Sequence, residues 1–264
     1  MSTNPRTYVI TGSASGIGAA TSHLLKERGS KVIGVDLHDA DITADLSTPS
    51  GRADAIESIL KICDGVIDGI IPCAGLIHGI VQTVSVNYFG VIEILNGLLP
   101  ILKESSAPRV ATISSVASLL PNSSHLVNAM LDNDEPGALI IAKELINEGP
   151  KSAGLIYAST KRAISQWVRR ECIQPQWAGA GIPLNAVGPG IVETPMMSKL
   201  LASDKLRTAT DAMIPMPLNH YLKPREVAYF LAWLTSEENS HITGQTIYID
   251  GGSDALLRGA NIWD

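Results

Sequence analysis

Three features of the sequence predict an α/β fold built on a doubly wound parallel sheet in a single domain. Short apolar runs alternate with longer stretches of helical periodicity as far as about residue 190. The apolar runs are continuous rather than alternating, which is how strands buried on both faces read. A glycine-rich turn stands between the first such run and the first helical stretch. The chain of 264 residues carries no internal repeat or low-complexity linker that would divide it, so residues 1–264 are read as one domain.

Taken in order, the predicted strands are 8–11, 31–36, 69–73, 109–114, 184–187 and 245–250. A short extended stretch ending in Asp45 and Leu46 lies between the second and third of these, so 109–114 is the fifth extended segment. Apolar residues at helical spacing predict helices over 18–28, 50–61, 81–103 and 157–177. Pro224 suits the first turn of a helix over 224–234. Two segments break this rhythm. Residues 119–154 read as an insertion between the fifth strand and the helix that starts at Tyr157, with a helix-like piece at 138–148. Residues 195–222, which include Pro215, Met216 and Pro217, read as a mobile lid over a substrate.

Hydrophobic residues make up 45% of the chain and charged residues 17%, enough apolar material for a large core. The formal net charge of -6 argues against nucleic acid or an anionic membrane surface as a partner. Cys63, Cys73 and Cys172 form neither a disulfide framework nor a metal-ligand pattern, and the histidines share no ligand spacing. No metal site is expected, and reduced thiols in a cytoplasmic protein are. Residues 1–6 lead straight into a strand without a secretory leader, and no run of about 18 apolar residues predicts a membrane span. Trp177, Trp233 and Trp263 are expected in the core or an interface, and His78 in a structural or surface role.

The turn after the first strand runs Thr11-Gly12-Ser13-Ala14-Ser15-Gly16-Ile17-Gly18. Gly12 permits a tight turn, Gly16 lets backbone approach a pyrophosphate, and Gly18 lets the helix pack on the strand. The amides around Ser15 and Ile17 then face the phosphates from a helix N-terminus. Such glycines alone also fit an ordinary strand-to-helix turn. Asp36 ends the second strand about 20 residues on, where a carboxylate accepts the ribose hydroxyls of NAD. Residues 13–15 contain no Arg or Lys and Leu37 follows the acid, so a 2'-phosphate has no partner and NAD is the expected cofactor of a Rossmann-type fold. Asp45 could bind the adenine amino group and Leu46 could pack on its ring. Cys73, Ala74 and Gly75 close a strand with small residues, consistent with a dinucleotide lying across the strand ends.

Tyr157 and Lys161 stand at i and i+4, on one helix face. A phenol with a pKa near 10 is a poor base at neutral pH, and a cation beside it favours the phenolate. Tyr157 would then remove an alcohol proton as hydride leaves, or return it in the reverse reaction. By itself this spacing is common on solvated helix faces.

The ensemble resembles the short-chain dehydrogenase/reductase family over nearly the whole chain. Its motifs occur in order: the glycine turn, Cys73-Ala74-Gly75, Asn87, Ser115, Tyr157 with Lys161, and Asn185 followed by Pro189-Gly190 and Thr194. The resemblance implies that Ser115 bonds the substrate oxygen, that Lys161 also contacts the nicotinamide ribose, and that Asn87 holds a proton-relaying water. It implies that Pro189, Gly190, Val192 and Thr194 grip the carboxamide. Cys73 replaces the family's usual asparagine, and the interval from Ser115 to Tyr157 is longer than usual. That insertion, with the sequences around Asn87, Ser115 and Asp250-Gly251-Gly252, resembles the bacterial 3α-hydroxysteroid dehydrogenase/carbonyl reductase subgroup.

The reading that follows is an NAD-dependent oxidoreductase interconverting a secondary alcohol and its ketone, with a bulky cyclic substrate such as a 3α-hydroxysteroid. Met196, Met197, Leu200, Leu201, Met213 and Ile214 in the lid suit such a ligand. The alternatives are a dehydrogenase of non-steroid alcohols or a non-catalytic NAD-binding sensor, the latter disfavoured by Asn87, Ser115, Tyr157 and Lys161 occurring together. The expected assembly is a homodimer or homotetramer, with the insertion favouring the dimer.

Overall fold

The computed structural model describes residues 5–262 except His78. The expectations for His78 and Trp263, and that for the Leu200 side chain, lie outside the described residues. Seven parallel strands, β1 (Thr7–Thr11), β2 (Lys31–Asp36), β3 (Ile42–Thr43), β4 (Gly69–Pro72), β5 (Arg109–Ile113), β6 (Leu184–Pro189) and β7 (Thr246–Ile249), form one sheet in the order β3-β2-β1-β4-β5-β6-β7. The chain enters at β1, builds outward through β2 and β3, then returns to the other side of β1. The switch point therefore lies at the carboxyl ends of β1 and β4, where doubly wound sheets open a crevice.

The helices are α1 (Gly16–Glu27), α2 (Pro49–Ile62), α3 (Gln82–Val84), α4 (Gly90–Leu102), α5 (Ser124–Leu131), α6 (Glu135–Glu148), α7 (Pro150–Ala153), α8 (Leu155–Glu171), α9 (Ser198–Leu201), α10 (Asp204–Met213), α11 (Pro224–Leu234) and α12 (Ser253–Arg258). Val9, Ile70, Val110 and Ala186 face a core shared with α2, α4 and α8. Their neighbours Tyr8, Ile10, Ile71, Ala111 and Val187 face a second core with α1 and α11. Both sheet faces are thus buried, which is why the strands read as unbroken apolar runs.

Differences from the predicted elements have local causes. The two-residue β3 pairs only Ile42 with Val35 and Thr43 with Asp36, too short to show a periodicity. The predicted helix 81–103 is interrupted by a π-turn at Ser85–Phe89. The predicted helix 157–177 starts at Leu155 and stops at Glu171. Trp177 lies beyond it, fully buried and edge-on to Trp167 at 6.0 Å. The insertion holds three helices rather than one. Ser123 caps α5, its hydroxyl accepting from the Leu126 amide, and Asp134 caps α6 by accepting from the Gly137 amide at 3.0 Å. Leu126, Met130, Ala138 and Ala142 bury this insertion against the α8 side of the core.

One further expectation needs correction. Among the described residues the helical run Gln82–Leu102 is long and apolar enough, by length and composition, to cross a membrane. Here it is a core helix, with Val84, Tyr88, Phe89, Ile94, Leu95 and Leu98 buried under the sheet.

Candidate active site

The first-strand turn is shaped by close approaches. Gly12 has φ +68°, and a Cβ there would lie 2.7 Å from the Ala74 nitrogen, so the turn presses on the exit of β4. A Cβ on Gly18 would lie 2.0 Å from the Gly12 carbonyl oxygen, which brings α1 hard against the turn. Ser15 precedes α1 in an extended conformation and makes no side-chain cap, leaving the helix's first amides directed at the crevice. At the end of β2 the Asp36 carboxylate accepts from the Ala14 amide at 2.9 Å and from the Leu37 amide at 2.7 Å. Asp36 thus braces the turn and borders the crevice at once. Asp41, which sequence reasoning missed, accepts from the Gly34 amide at 2.7 Å and steadies β2 from below. Asp45 accepts from the Ser47 amide at 2.9 Å, and Leu46 is buried beside it.

The reacting groups come from β5 and α8. The Ser115 hydroxyl accepts from the Ala117 amide at 3.1 Å, which fixes its rotamer. Its neighbour Ser114 donates to the Lys161 carbonyl at 3.1 Å and pairs with the Ser165 hydroxyl at 2.8 Å, locking α8 onto β5. Lys161 Nζ sits 5.7 Å from the centroid of the Tyr157 ring and donates to the Ile113 carbonyl at 2.8 Å. Burial pushes the Tyr157 phenol above its ordinary value, while a hydrogen bond with the Ser115 hydroxyl acts against the rise. Burial pushes Lys161 down to about 8. The ammonium is turned toward the end of β5, and desolvation favours its neutral form without removing the proton at neutral pH.

Asn87 stands behind the reacting groups. Its side chain is fully buried on the π-turn, with Oδ1 accepting from the Leu76 amide at 2.7 Å. Nδ2 donates to the Leu76 carbonyl at 2.9 Å and to Thr160 Oγ1 at 3.2 Å. Both amide hydrogens are committed, so the side chain ties the segment after β4 to α8. Cys73 lies beside Lys161, and burial pushes its thiol up to about 12. At the end of β6, Gly190 donates to the Ile249 carbonyl at 3.0 Å, and the Thr194 amide donates to the Val192 carbonyl at 2.8 Å. Met216 packs on Gly190 and Gly251, and its Sδ accepts from the Ile191 amide at 3.3 Å.

These groups surround one cavity of about 670 Å³, a size suited to a small-molecule site. It is lined by Gly12, Ser15, Gly16, Ile17, Gly18, Asp36, Leu37, Asp45 and Leu46, and by Cys73, Ala74 and Gly75. Ser115, Tyr157, Lys161, Pro189, Gly190, Val192 and Thr194 complete the predicted lining, and Asn87 stands one layer behind it. From the lid, Met196, Met197, Met213 and Ile214 reach the cavity, whereas Leu201 does not. Ile77, Ile80 and Leu120 form further apolar wall that sequence reasoning did not single out.

Residues 6–128 match the short chain dehydrogenase family, and residues 122–254 match the enoyl-(acyl carrier protein) reductase family. The chain belongs to the short-chain dehydrogenase/reductase family and is an oxidoreductase interconverting secondary alcohols and ketones. It is 37% identical to the 3-alpha-hydroxysteroid dehydrogenase/carbonyl reductase of Comamonas testosteroni, over 95% of this chain and 97% of that protein. The crystal structure of the 3-alpha-hydroxysteroid dehydrogenase from Pseudomonas sp. B-0831 complexed with NADH superposes with a TM-score of 0.88 at 40% identity, covering 97% of this chain and 100% of that one. A 3-oxoacyl-[acyl-carrier-protein] reductase of Thermotoga maritima is 29% identical over 92% of this chain and 96% of its own length.

Proposed function

We propose that this protein is an NAD-dependent dehydrogenase and ketone reductase of bulky cyclic alcohols, 3α-hydroxysteroids being the leading class. One observation carries the reading: Ser115, Tyr157 and Lys161 line the same cavity that Asp36 and the glycine turn border. The residues present fit a dinucleotide. The uncapped start of α1 suits its phosphates, Asp36 suits ribose hydroxyls, and neither residues 13–15 nor Leu37 offers a cation for a 2'-phosphate. The NADH complex of the Pseudomonas relative supports the same cofactor.

Bound NAD would supply the hydride acceptor and a positive charge that favours the phenolate. The chain's own groups do the rest. Ser115 orients the substrate oxygen, Tyr157 takes the hydroxyl proton on oxidation and returns it on reduction, and Lys161 provides positive charge on the same helix face. Ile77, Ile80, Leu120 and the lid methionines give the substrate end an apolar wall, and methionines conform to irregular shapes.

The test is NADH formation, followed by absorbance, with NAD or NADP and a panel of secondary alcohols that includes 3α-hydroxysteroids. Steroid turnover with NAD is the expected result. Turnover confined to other alcohols would remove the steroid, and NAD binding without turnover would favour a sensor. Asp36→Ala is expected to weaken NAD about tenfold and to narrow the preference over NADP. An unchanged NAD-to-NADP ratio of kcat/KM would remove Asp36 from cofactor choice.

Two coarser expectations extend this reading. Because α5 and α6 lie packed over the α8 side of the core, we favour a homodimer, for which a tetramer mass in sedimentation would be the contrary result. The unbridged Cys63, Cys73 and Cys172 accord with a cytoplasmic setting.

A further inference from the structure

The first turn of α2 holds a charged group to which the proposed chemistry gives no part. The Arg52 side chain is fully buried, and its donors reach three other parts of the chain. Nε donates to Glu93 Oε2 of α4 at 2.7 Å. Nη1 donates to Glu135 Oε1 at 3.2 Å and to the Leu46 carbonyl at 3.3 Å, and Nη2 donates to Glu135 Oε2 at 2.5 Å. Glu135 is the first residue of α6, inside the insertion. Leu46 lies in the segment 45–47 that walls one end of the cavity.

The same segment is pressed onto the helix beside Arg52. A Cβ on Gly51 would lie 2.1 Å from the Asp45 carbonyl oxygen, and one on Gly90 would lie 3.4 Å from Leu46 Cβ. Leu46 is therefore held between α2 and α4, with its carbonyl fixed by the guanidinium. Desolvating an arginine is costly unless every face of it is bonded. Burial acts to lower the Arg52 pKa, but hydrogen bonds and charge from Glu135 and Glu93 prevail and hold it above its ordinary value. A buried network of this kind is a poor source of net stability, and fixing geometry is its better-supported use. The geometry fixed here is the cavity wall at residues 45–47.

We propose that Arg52 is a positioning residue for the cofactor. Through the Leu46 carbonyl it sets the wall that receives the adenine end, and through Glu135 it ties the insertion to that wall. The proposal rests on the NAD reading above and adds a direction to it: the effect falls on the adenine half of the ligand, not on the reacting half.

The test is calorimetric titration of the full chain with ADP-ribose, NADH and nicotinamide mononucleotide. Arg52→Lys keeps the charge, but a single ammonium cannot span two carboxylates and a carbonyl. The expected result is about tenfold weaker ADP-ribose and NADH, with nicotinamide mononucleotide binding and kcat at saturating NADH unchanged. Glu135→Gln loosens the same fork from the insertion side, should move ADP-ribose in the same direction, and serves alone if Arg52→Lys does not fold. Variants that bind ADP-ribose as the wild type does would overturn the proposal. So would equal weakening of ADP-ribose and nicotinamide mononucleotide together with a fall in kcat, the pattern of general loosening. A wild type that binds neither ADP-ribose nor NADH would overturn the NAD reading itself and the proposal with it.

Discussion

Tyr157→Phe is expected to lower kcat about 10³-fold, the range of a lost general acid-base group, while NADH binding is retained. The substitution removes one oxygen from a fully folded helix. Ser114 still anchors α8 through the Lys161 carbonyl and Ser165, so the fold has no reason to change. NADH titration and steady-state kinetics on the same preparation separate the two quantities. Turnover within about tenfold of wild type would take the proton transfer away from Tyr157.

The pH dependence has a definite sign. Oxidation needs the phenolate, and burial raises the phenol above its ordinary value. The oxidative kcat/KM should therefore climb about tenfold per pH unit until the phenol titrates. Reduction needs the protonated phenol and should stay level over that span. Lys161 loses its proton as pH passes about 8, so its help to the phenolate fades just where oxidation accelerates, and the climb should flatten above that point. An oxidative profile that is flat from neutrality to about pH 9 would show that another group accepts the proton.

How much of this was legible in the sequence depended on how local the cause was. The strand runs were legible because both faces of the sheet are buried, and the helix over Pro224–Leu234 was placed to the residue because its proline marks the start. The start of α6 was legible too: Asp134, Glu135 and Pro136 form a cap, an acidic first turn and a proline, yet the apolar pattern alone pointed to residue 138. The side-chain partners of Asn87 and Arg52 were not. The amide of Asn87 is spent on Leu76 and Thr160, and the guanidinium of Arg52 on residues 41 and 83 positions away, so only the folded chain brings the partners together. The effective charge at Lys161 was hidden for a similar reason, since residue spacing gives proximity to Tyr157 but not the desolvation that burial imposes.

Gly18→Ala should be among the most damaging single-methyl additions in the chain. The added Cβ would lie 2.0 Å from the Gly12 carbonyl oxygen and 3.3 Å from Cys73 Cβ. Gly12 has little room to shift toward β4, because a Cβ on it would already lie 2.7 Å from the Ala74 nitrogen. The methyl must therefore push α1 away, and α1 carries Leu24 and Leu25 into the core shared with α11. A stability loss of about 3 kcal/mol is expected in chemical denaturation, and NADH binding should fall with it because the amides at the start of α1 move. Gly29→Ala separates packing from backbone strain. Gly29 has φ +82° with nothing within 4 Å of a Cβ, so its cost is conformational alone and about 1 kcal/mol. It should also leave NADH affinity untouched. If Gly18→Ala proved no worse than Gly29→Ala, the helix would be free to slide on the sheet, and the contact between α1 and the glycine turn would not be what positions the phosphate-facing amides.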